Sequence, residues 1–184
     1  MKFDFIETGF AELYLVCRKY NSDNRGSFSR VFCKEDLKDL NFKEIKQINH
    51  SITKEKGSFR GFHLQIPPKA EMKMVSCFKG KVLDIVIDLR KDSKTFLKSF
   101  STELSENNSK SLIIPEGFAH GFQTLEENSE LIYFHTEFYN PGYEMGVNFS
   151  DPEISIDLPL QITEISDKDK NLPFLDKNFK GIEI

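Results

Sequence analysis

From Glu44 onward the chain is a succession of short runs in which apolar and polar residues alternate, each closed by residues that favour turns. Val82–Arg90 is the clearest: Leu83, Ile85, Ile87 and Leu89 share one face, expected inward, and Val82, Asp84, Val86 and Asp88 share the other. Gln47–Ser51 puts Gln47, Asn49 and Ser51 on one side and Ile48 and His50 on the opposite one. In Met72–Phe78 the face holding Val75 and Cys77 also holds Lys73. Further strands are expected at Glu12–Arg18, Ser27–Phe32, Lys98–Leu104, Ser111–Ile114, Gly121–Leu125 and Glu130–Tyr139. Turn formers punctuate them at Asn21–Gly26, Lys54–Gly57, Lys79–Lys81, Ser105–Ser109, Pro115–Gly117, Glu126–Asn128 and Asn140–Gly142. Many short strands at such spacing fold as an all-β sandwich or barrel of antiparallel strands. Helix is confined to Glu35–Leu40 and to a C-terminal turn at Ser166–Asp169, which Pro173 keeps short.

At 184 residues, with 39% hydrophobic and 29% charged residues, the chain is expected to form one domain over 1–184 around a single core. Its 18 phenylalanines and absence of tryptophan make Phe the core filler, so a lone Phe is no sign of a ligand site. A net charge of -4 with no basic run argues against a nucleic-acid surface. Two acids near the N-terminus interrupt what a signal peptide needs apolar, and no later run is long enough to span a membrane. Three scattered cysteines form neither a CxxC pair nor a disulfide framework, which suits a cytoplasmic setting.

Chemistry concentrates at Ser58–Gln65, Ser-Phe-Arg-Gly-Phe-His-Leu-Gln. His63 titrates near neutrality and can act as a general base, and Arg60 carries the planar donor fork that grips phosphate. A core histidine beside a surface arginine reads equally well. A regular strand sends the two to opposite faces, because their separation is odd, unless Gly61 hosts a bulge. Lys73 on a half-buried strand is either exposed after all or a charge held for a developing anion. His120, in Phe-Ala-His-Gly-Phe, more commonly would be a satisfied core residue. Tyr133 shares a face with His135, Glu137 and Tyr139, polar enough to line a cavity, although tyrosine packs well in any sheet. Ser166 and Asp169 have the spacing of a capping box, a purely local use. The four histidines show no His-x-His pair, so a metal site has no motif support.

Taken together, Asp23–Gly26, Gln47–Ser51, Phe59–Gln65, Val82–Arg90, Ile114–Phe122, Tyr133, Tyr139–Pro141, Asp151–Pro152 and Ser166–Asp169 resemble the dTDP-4-dehydrorhamnose 3,5-epimerases along nearly the whole chain. The resemblance implies a cupin-type jelly roll, a homodimer exchanging N-terminal strands, and no metal or organic cofactor. It implies a nucleotide-diphosphate-linked 4-keto sugar as substrate, in cell-surface polysaccharide synthesis. By the same resemblance His63 is the base, Asp169 its partner, Lys73 the stabiliser of the enolate and Tyr133 the proton donor. Arg60 and His120 would hold the diphosphate and sugar. Arg25, Gln47, Asn49, Tyr139, Glu144 and Lys168 match further substrate-binding positions, with Tyr139 stacking on the base.

Three positions depart from the family pattern. Arg30 stands where a nucleotide-binding glutamate is usual, Leu64 replaces a tyrosine after the base, and Phe134 replaces the lysine after Tyr133. They leave the acid–base set intact and the nucleotide open between dTDP, GDP and CDP, with a heptose or a single inverted centre as variants. A catalytically silent sugar-nucleotide-binding barrel, a metal-dependent cupin and a metal-free 3,4-ketoisomerase are the competing readings.

Overall fold

The computed structural model describes residues 3–184; Met1 and Lys2, part of the N-terminal stretch read above, lie outside it. Its strands are β1 (Asp4–Glu7), β2 (Tyr14–Cys17), β3 (Tyr20–Asp23), β4 (Gly26–Ser29), β5 (Gln47–Thr53), β6 (Phe59–Gln65), β7 (Lys73–Lys79), β8 (Lys81–Asp88), β9 (Ser99–Ser105), β10 (Lys110–Ile114), β11 (Phe118–Thr124), β12 (Ser129–His135) and β13 (Glu144–Gly146). A six-stranded sheet in the order β1-β2-β10-β7-β12-β5 faces a five-stranded sheet in the order β13-β6-β11-β8-β9, and β3-β4 form a separate hairpin. Every ladder between these strands is antiparallel. This is the all-β jelly roll expected of the sequence. Helix is limited to single turns at Lys38–Leu40 and Pro141–Tyr143 and to α1 (Asp167–Lys170). Among the described residues no helix is long and apolar enough to cross a membrane.

Three apolar layers hold the sandwich. Val75, Cys77, Leu112 and Leu131 from one sheet meet Val82, Val86, Phe118 and Phe122 from the other in the interior. The outer face of the five-stranded sheet, with Ile85, Ile87 and Leu89, is covered by Ile154, Ile165 and Phe179 of the C-terminal tail. The outer face of the six-stranded sheet is covered by Leu37, Phe42 and their neighbours, packed on Met74, Ile113 and Phe134. β8 is therefore buried on both sides, and its interior face is the one carrying Val82, Asp84 and Val86, the reverse of the simple alternation reading. A tail more than 60 residues downstream supplies the cover that local pattern does not reveal.

Other elements shift in smaller ways. β12 stops at His135, so Glu137 and Tyr139 leave the strand on which alternation placed them. β11 begins at Phe118, which puts His120 inside the sheet. β1, β3 and β13 are three or four residues each and were not anticipated. Asn21–Gly26, read as a turn, is mostly the β3-β4 hairpin around Asp23–Gly26.

The irregularity that matters most lies in β6. His120 pairs with His63 and Phe122 with Arg60, so Gly61 and Phe62 together oppose Gly121 alone. This bulge shifts the facing of the strand by one residue, and Arg60 and His63 both reach the same cavity. Gly61 sits at φ +131°, and a Cβ there would lie 2.5 Å from Gly121 Cα and 3.0 Å from the His120 carbonyl oxygen. Only glycine satisfies both the dihedral and the close approach of backbone to backbone. Gly61→Ala should therefore lower the denaturant midpoint, through a loss of about 1–3 kcal/mol of unfolding free energy from overpacking alone. An unchanged midpoint would show that the bulge tolerates a side chain.

Candidate active site

The bulge aims its side chains into a cavity of about 700 Å³ between the two sheets. Nine of the residues singled out above line it: Asn49, Arg60, His63, Lys73, His120, Tyr133, Glu144, Lys168 and Asp169. A larger cleft of about 820 Å³ opens beside Arg90 and residues 9–12, but none of the expected site residues borders it.

His63 is the best-supported centre. Its Nε2 lies 2.8 Å from Asp169 Oδ1, and the Gly61 backbone N–H donates to Asp169 Oδ2 at 3.1 Å. The bulge thus frees a backbone donor for the same carboxylate that holds the imidazole. Burial pushes the Asp169 carboxyl up, but hydrogen bonds from His63 and Gly61 outweigh it and hold it below the usual range. With the Nε2 proton directed at Asp169, Nδ1 is the nitrogen left to take one up. It has no hydrogen-bond partner, although Glu144 Oε1 is 3.3 Å away. Two carboxylates flank the ring, an arrangement that stabilises an imidazolium once formed.

Asp169 reaches this position because α1 is capped as its spacing suggests. Ser166 Oγ accepts from the Asp169 backbone N–H at 3.1 Å. The cap uses the Asp169 main chain and leaves its carboxylate for His63, so the cap and the contact with His63 coexist at different atoms.

Tyr133 enters from the facing sheet. Burial pushes its phenol up, so it stays protonated throughout the neutral range. Its hydroxyl is 3.1 Å from Ser51 Oγ, and its ring stands between His120 (centroids 6.2 Å, edge-on) and His135 (6.0 Å, stacked). Lys73 is buried on the face it shares with Val75 and Cys77, which decides between the two readings of it above. Its Nζ is 3.4 Å from Glu71 Oε1 and 3.5 Å from the His63 carbonyl oxygen. An ammonium held in the interior beside His63 could supply positive charge to an oxyanion.

His120 is paired rather than free. Its Nε2 is 2.9 Å from Asp84 Oδ2, both residues buried, and Asp84 Oδ1 has no partner. Arg60 is fixed by a 3.1 Å hydrogen bond from Nε to Thr53 Oγ1. Glu144 accepts from Lys168 Nζ at 2.8 Å and from the Tyr139 hydroxyl at 3.1 Å. Burial raises the Glu144 carboxyl, and these donors more than reverse that, leaving it lowered.

Gln47 and Tyr139 stand outside the cavity lining, joined to each other by the Tyr139 N–H to Gln47 Oε1 bond of 3.1 Å. Arg25 is not brought to the cavity of its own chain. It lies at the tip of the β3-β4 hairpin, in an exposed pair with Asp23 at 2.7 Å. Arg30 likewise pairs with Asp36 at 2.7 Å, and Leu64 is core. Glu71 and Asp84, acidic partners of site residues, escaped sequence reading. For Asp84 the available signal was an acid within an otherwise apolar strand; Glu71 lies just before β7 and offered no such signal. Among the described residues, no group of three or more His, Cys, Asp or Glu side chains is placed to hold a metal ion.

Comparisons with known proteins give this geometry a family. The family model described as dTDP-4-dehydrorhamnose 3,5-epimerase matches residues 7–177. The dTDP-4-dehydrorhamnose 3,5-epimerase of Shigella flexneri is 38% identical over 168 residues, covering 90% of this chain and 92% of that protein. The crystal structure of the Bacillus anthracis enzyme of the same name, with TDP and PPi bound, superposes with a TM-score of 0.91 at 37% identity, covering 94% of this chain and 99% of that one. A Legionella pneumophila dTDP-6-deoxy-D-glucose-3,5-epimerase in complex with dTDP-4-keto-L-rhamnose superposes with a TM-score of 0.88 at 34% identity, covering 94% and 92% of the two chains. With nearly its whole length matched in sequence and in fold, the chain belongs to the dTDP-4-dehydrorhamnose 3,5-epimerase family and is an isomerase of the carbohydrate-epimerase type.

Proposed function

We propose that residues 1–184 form one catalytic domain that inverts C3, C5 or both in a nucleotide-diphosphate-linked 4-keto sugar, without a cofactor. The observation that carries this reading is the placement of a dyad-held base and a protonated phenol on opposite sheets of one cavity. The 4-keto group acidifies the protons on the adjacent carbons. His63 removes one, the C–H electron pair moves into an enolate, and Lys73 stabilises the negative charge at the C4 oxygen. Tyr133 then delivers its proton to the opposite face of the carbon, solvent restores the phenol, and the His63 imidazolium releases its proton to solvent. A phenol with a raised pKa is a weak acid, but its acceptor is a carbanion-like carbon, a much stronger base. Arg60 and His120 hold the diphosphate and sugar, Tyr139 stacks on the nucleobase, and Gln47, Asn49, Glu144 and Lys168 complete the binding surface.

The ligands of the Bacillus and Legionella structures support a dTDP-linked substrate. Arg30, which departs from the family's glutamate, pairs with Asp36 within its own segment and leaves the nucleotide open between dTDP, GDP and CDP. A role in building cell-surface sugars and a cytoplasmic setting fit this chemistry, and the three cysteines are free thiols.

We further propose a homodimer. Phe28 on β4 is 69% exposed, the β3-β4 hairpin pairs with no other strand, and β5 presents Ile48 and Ile52 outward at the edge of its sheet. A hairpin exchanged onto the edge of a second copy would cover both surfaces and carry Arg25 to that copy's cavity.

These readings are open to direct measurement. His63→Ala and Asp169→Asn should each lower kcat by about 10²–10⁴-fold, the usual worth of a general base. In deuterium oxide the wild-type product should carry deuterium at C3 or C5 by NMR, which also identifies the inverted centre. Full turnover by His63→Ala would refute the mechanism, and tight binding without exchange would mark a silent binding barrel. Loss of turnover on chelation, restored by metal, would favour the metal-dependent class. Sedimentation should give twice the chain mass, and Arg25→Ala should raise KM roughly 10-fold or more with little change in kcat. A monomeric, fully active protein would contradict the exchanged dimer.

A further inference from the structure

A run of hydrogen bonds connects the edge of the cavity to the buried Lys73, and its direction can be read from one end. The Tyr139 backbone N–H can only donate, and it does so to Gln47 Oε1 at 3.1 Å. That fixes the Gln47 amide, whose Nε2 donates to Asn49 Oδ1 at 3.0 Å. Asn49 Nδ2 is then the group facing His135 Nε2 at 3.3 Å, which makes that ring nitrogen the acceptor. The ring proton lies on Nδ1 and is donated to Glu71 Oε2 at 2.8 Å. The other oxygen of Glu71 faces Lys73 Nζ at 3.4 Å.

Glu71 is thus the point at which two opposed runs of donors meet. It is buried to the same degree as Lys73, with side-chain exposures of 8% and 11%. Sheet register supports the same arrangement, since His135 lies directly opposite Lys73 in the β12-β7 ladder and opposite Gln47 in the β12-β5 ladder. A buried carboxylate is costly unless its oxygens are satisfied, and here each has one named partner.

We propose that Glu71 is a positioning residue: clamped by His135, it holds the Lys73 ammonium in place and ties it to the Gln47–Asn49 edge of the cavity. The inference rests on the reading of Lys73 as the enolate stabiliser. It adds that the residues at the cavity mouth and the charge at the reacting oxygen belong to one hydrogen-bonded unit. Glu71 touches no substrate in this scheme and acts through Lys73.

A double-mutant cycle separates this from a merely structural role. Glu71→Gln keeps the shape and removes the charge. It should lower kcat by about 10- to 100-fold, the cost of a misplaced catalytic group, with KM changed less than about twofold. Combined with Lys73→Met it should cost no more than Lys73→Met alone. A wild-type kcat for Glu71→Gln, or losses that multiply in the double variant, would overturn the proposal while leaving Lys73 in its role. A wild-type kcat for Lys73→Met would overturn both. Nitrogen-15 NMR of the unaltered protein gives an independent check that survives any folding defect in the variants. His135 should carry a proton on Nδ1, and an unprotonated Nδ1 would break the clamp.

Discussion

The contact between the backbones of Gly61 and Gly121 is the constraint on which the site depends. Two glycines let adjacent strands approach more closely than any side chain permits, and the extra residue accommodated there turns β6 by one position. Three consequences follow from that one displacement. Arg60 and His63 come to share a cavity, the Gly61 N–H is released from the ladder to bind Asp169, and Asp169 is thereby fixed on His63. A regular strand with the same sequence would keep the histidine and lose either the arginine or the orienting carboxylate.

Around this point the fold supplies polarity in an interior that is otherwise apolar. Lys73, Asp84 and His120 are buried and the Glu71 side chain is only 8% exposed, and each is paired with an opposite charge or a hydrogen-bonding ring. Such pairs contribute little net stability, since desolvation offsets most of the Coulomb gain. Their effect is to fix position: the cavity presents cations and donors whose geometry is set before a ligand arrives. His63 comes from the five-stranded sheet and Tyr133 from the six-stranded one, and both line one cavity. In the proposed mechanism a sugar ring lying between them would meet a base on one face and an acid on the other, the requirement for inversion.

Much of this was legible in the sequence because the relevant patterns are local. The period-two runs located β7, β8 and β9 and put Lys73 on the face of Val75 and Cys77, while leaving open whether it was buried. The Ser166–Asp169 spacing gave the turn that carries Asp169. What was not legible depends on partners distant in the chain. The interior face of β8 is decided by a C-terminal tail that covers Ile85 and Ile87 from outside. β1, β3 and β13 are too short to show a period and exist because another strand lies beside them. Glu71 and Asp84 look like ordinary acids until the ladder brings His135 and His120 to them. Arg25 matches a substrate-binding position of the family yet sits on the β3-β4 hairpin outside its own chain's cavity, a mismatch that the proposed exchanged dimer would resolve.

The central claim, an acid and a base on opposite faces, is tested most directly by Tyr133→Phe in deuterium oxide with a dTDP-linked 4-keto-6-deoxy sugar. With the base intact and the acid removed, His63 should still draw off a proton and return a solvent deuteron to the same face. NMR should then show deuterium entering C3 or C5 of the unaltered sugar, with inversion slowed by orders of magnitude. Inversion at the wild-type rate, or loss of exchange together with inversion, would contradict the assignment of Tyr133 as the opposing acid.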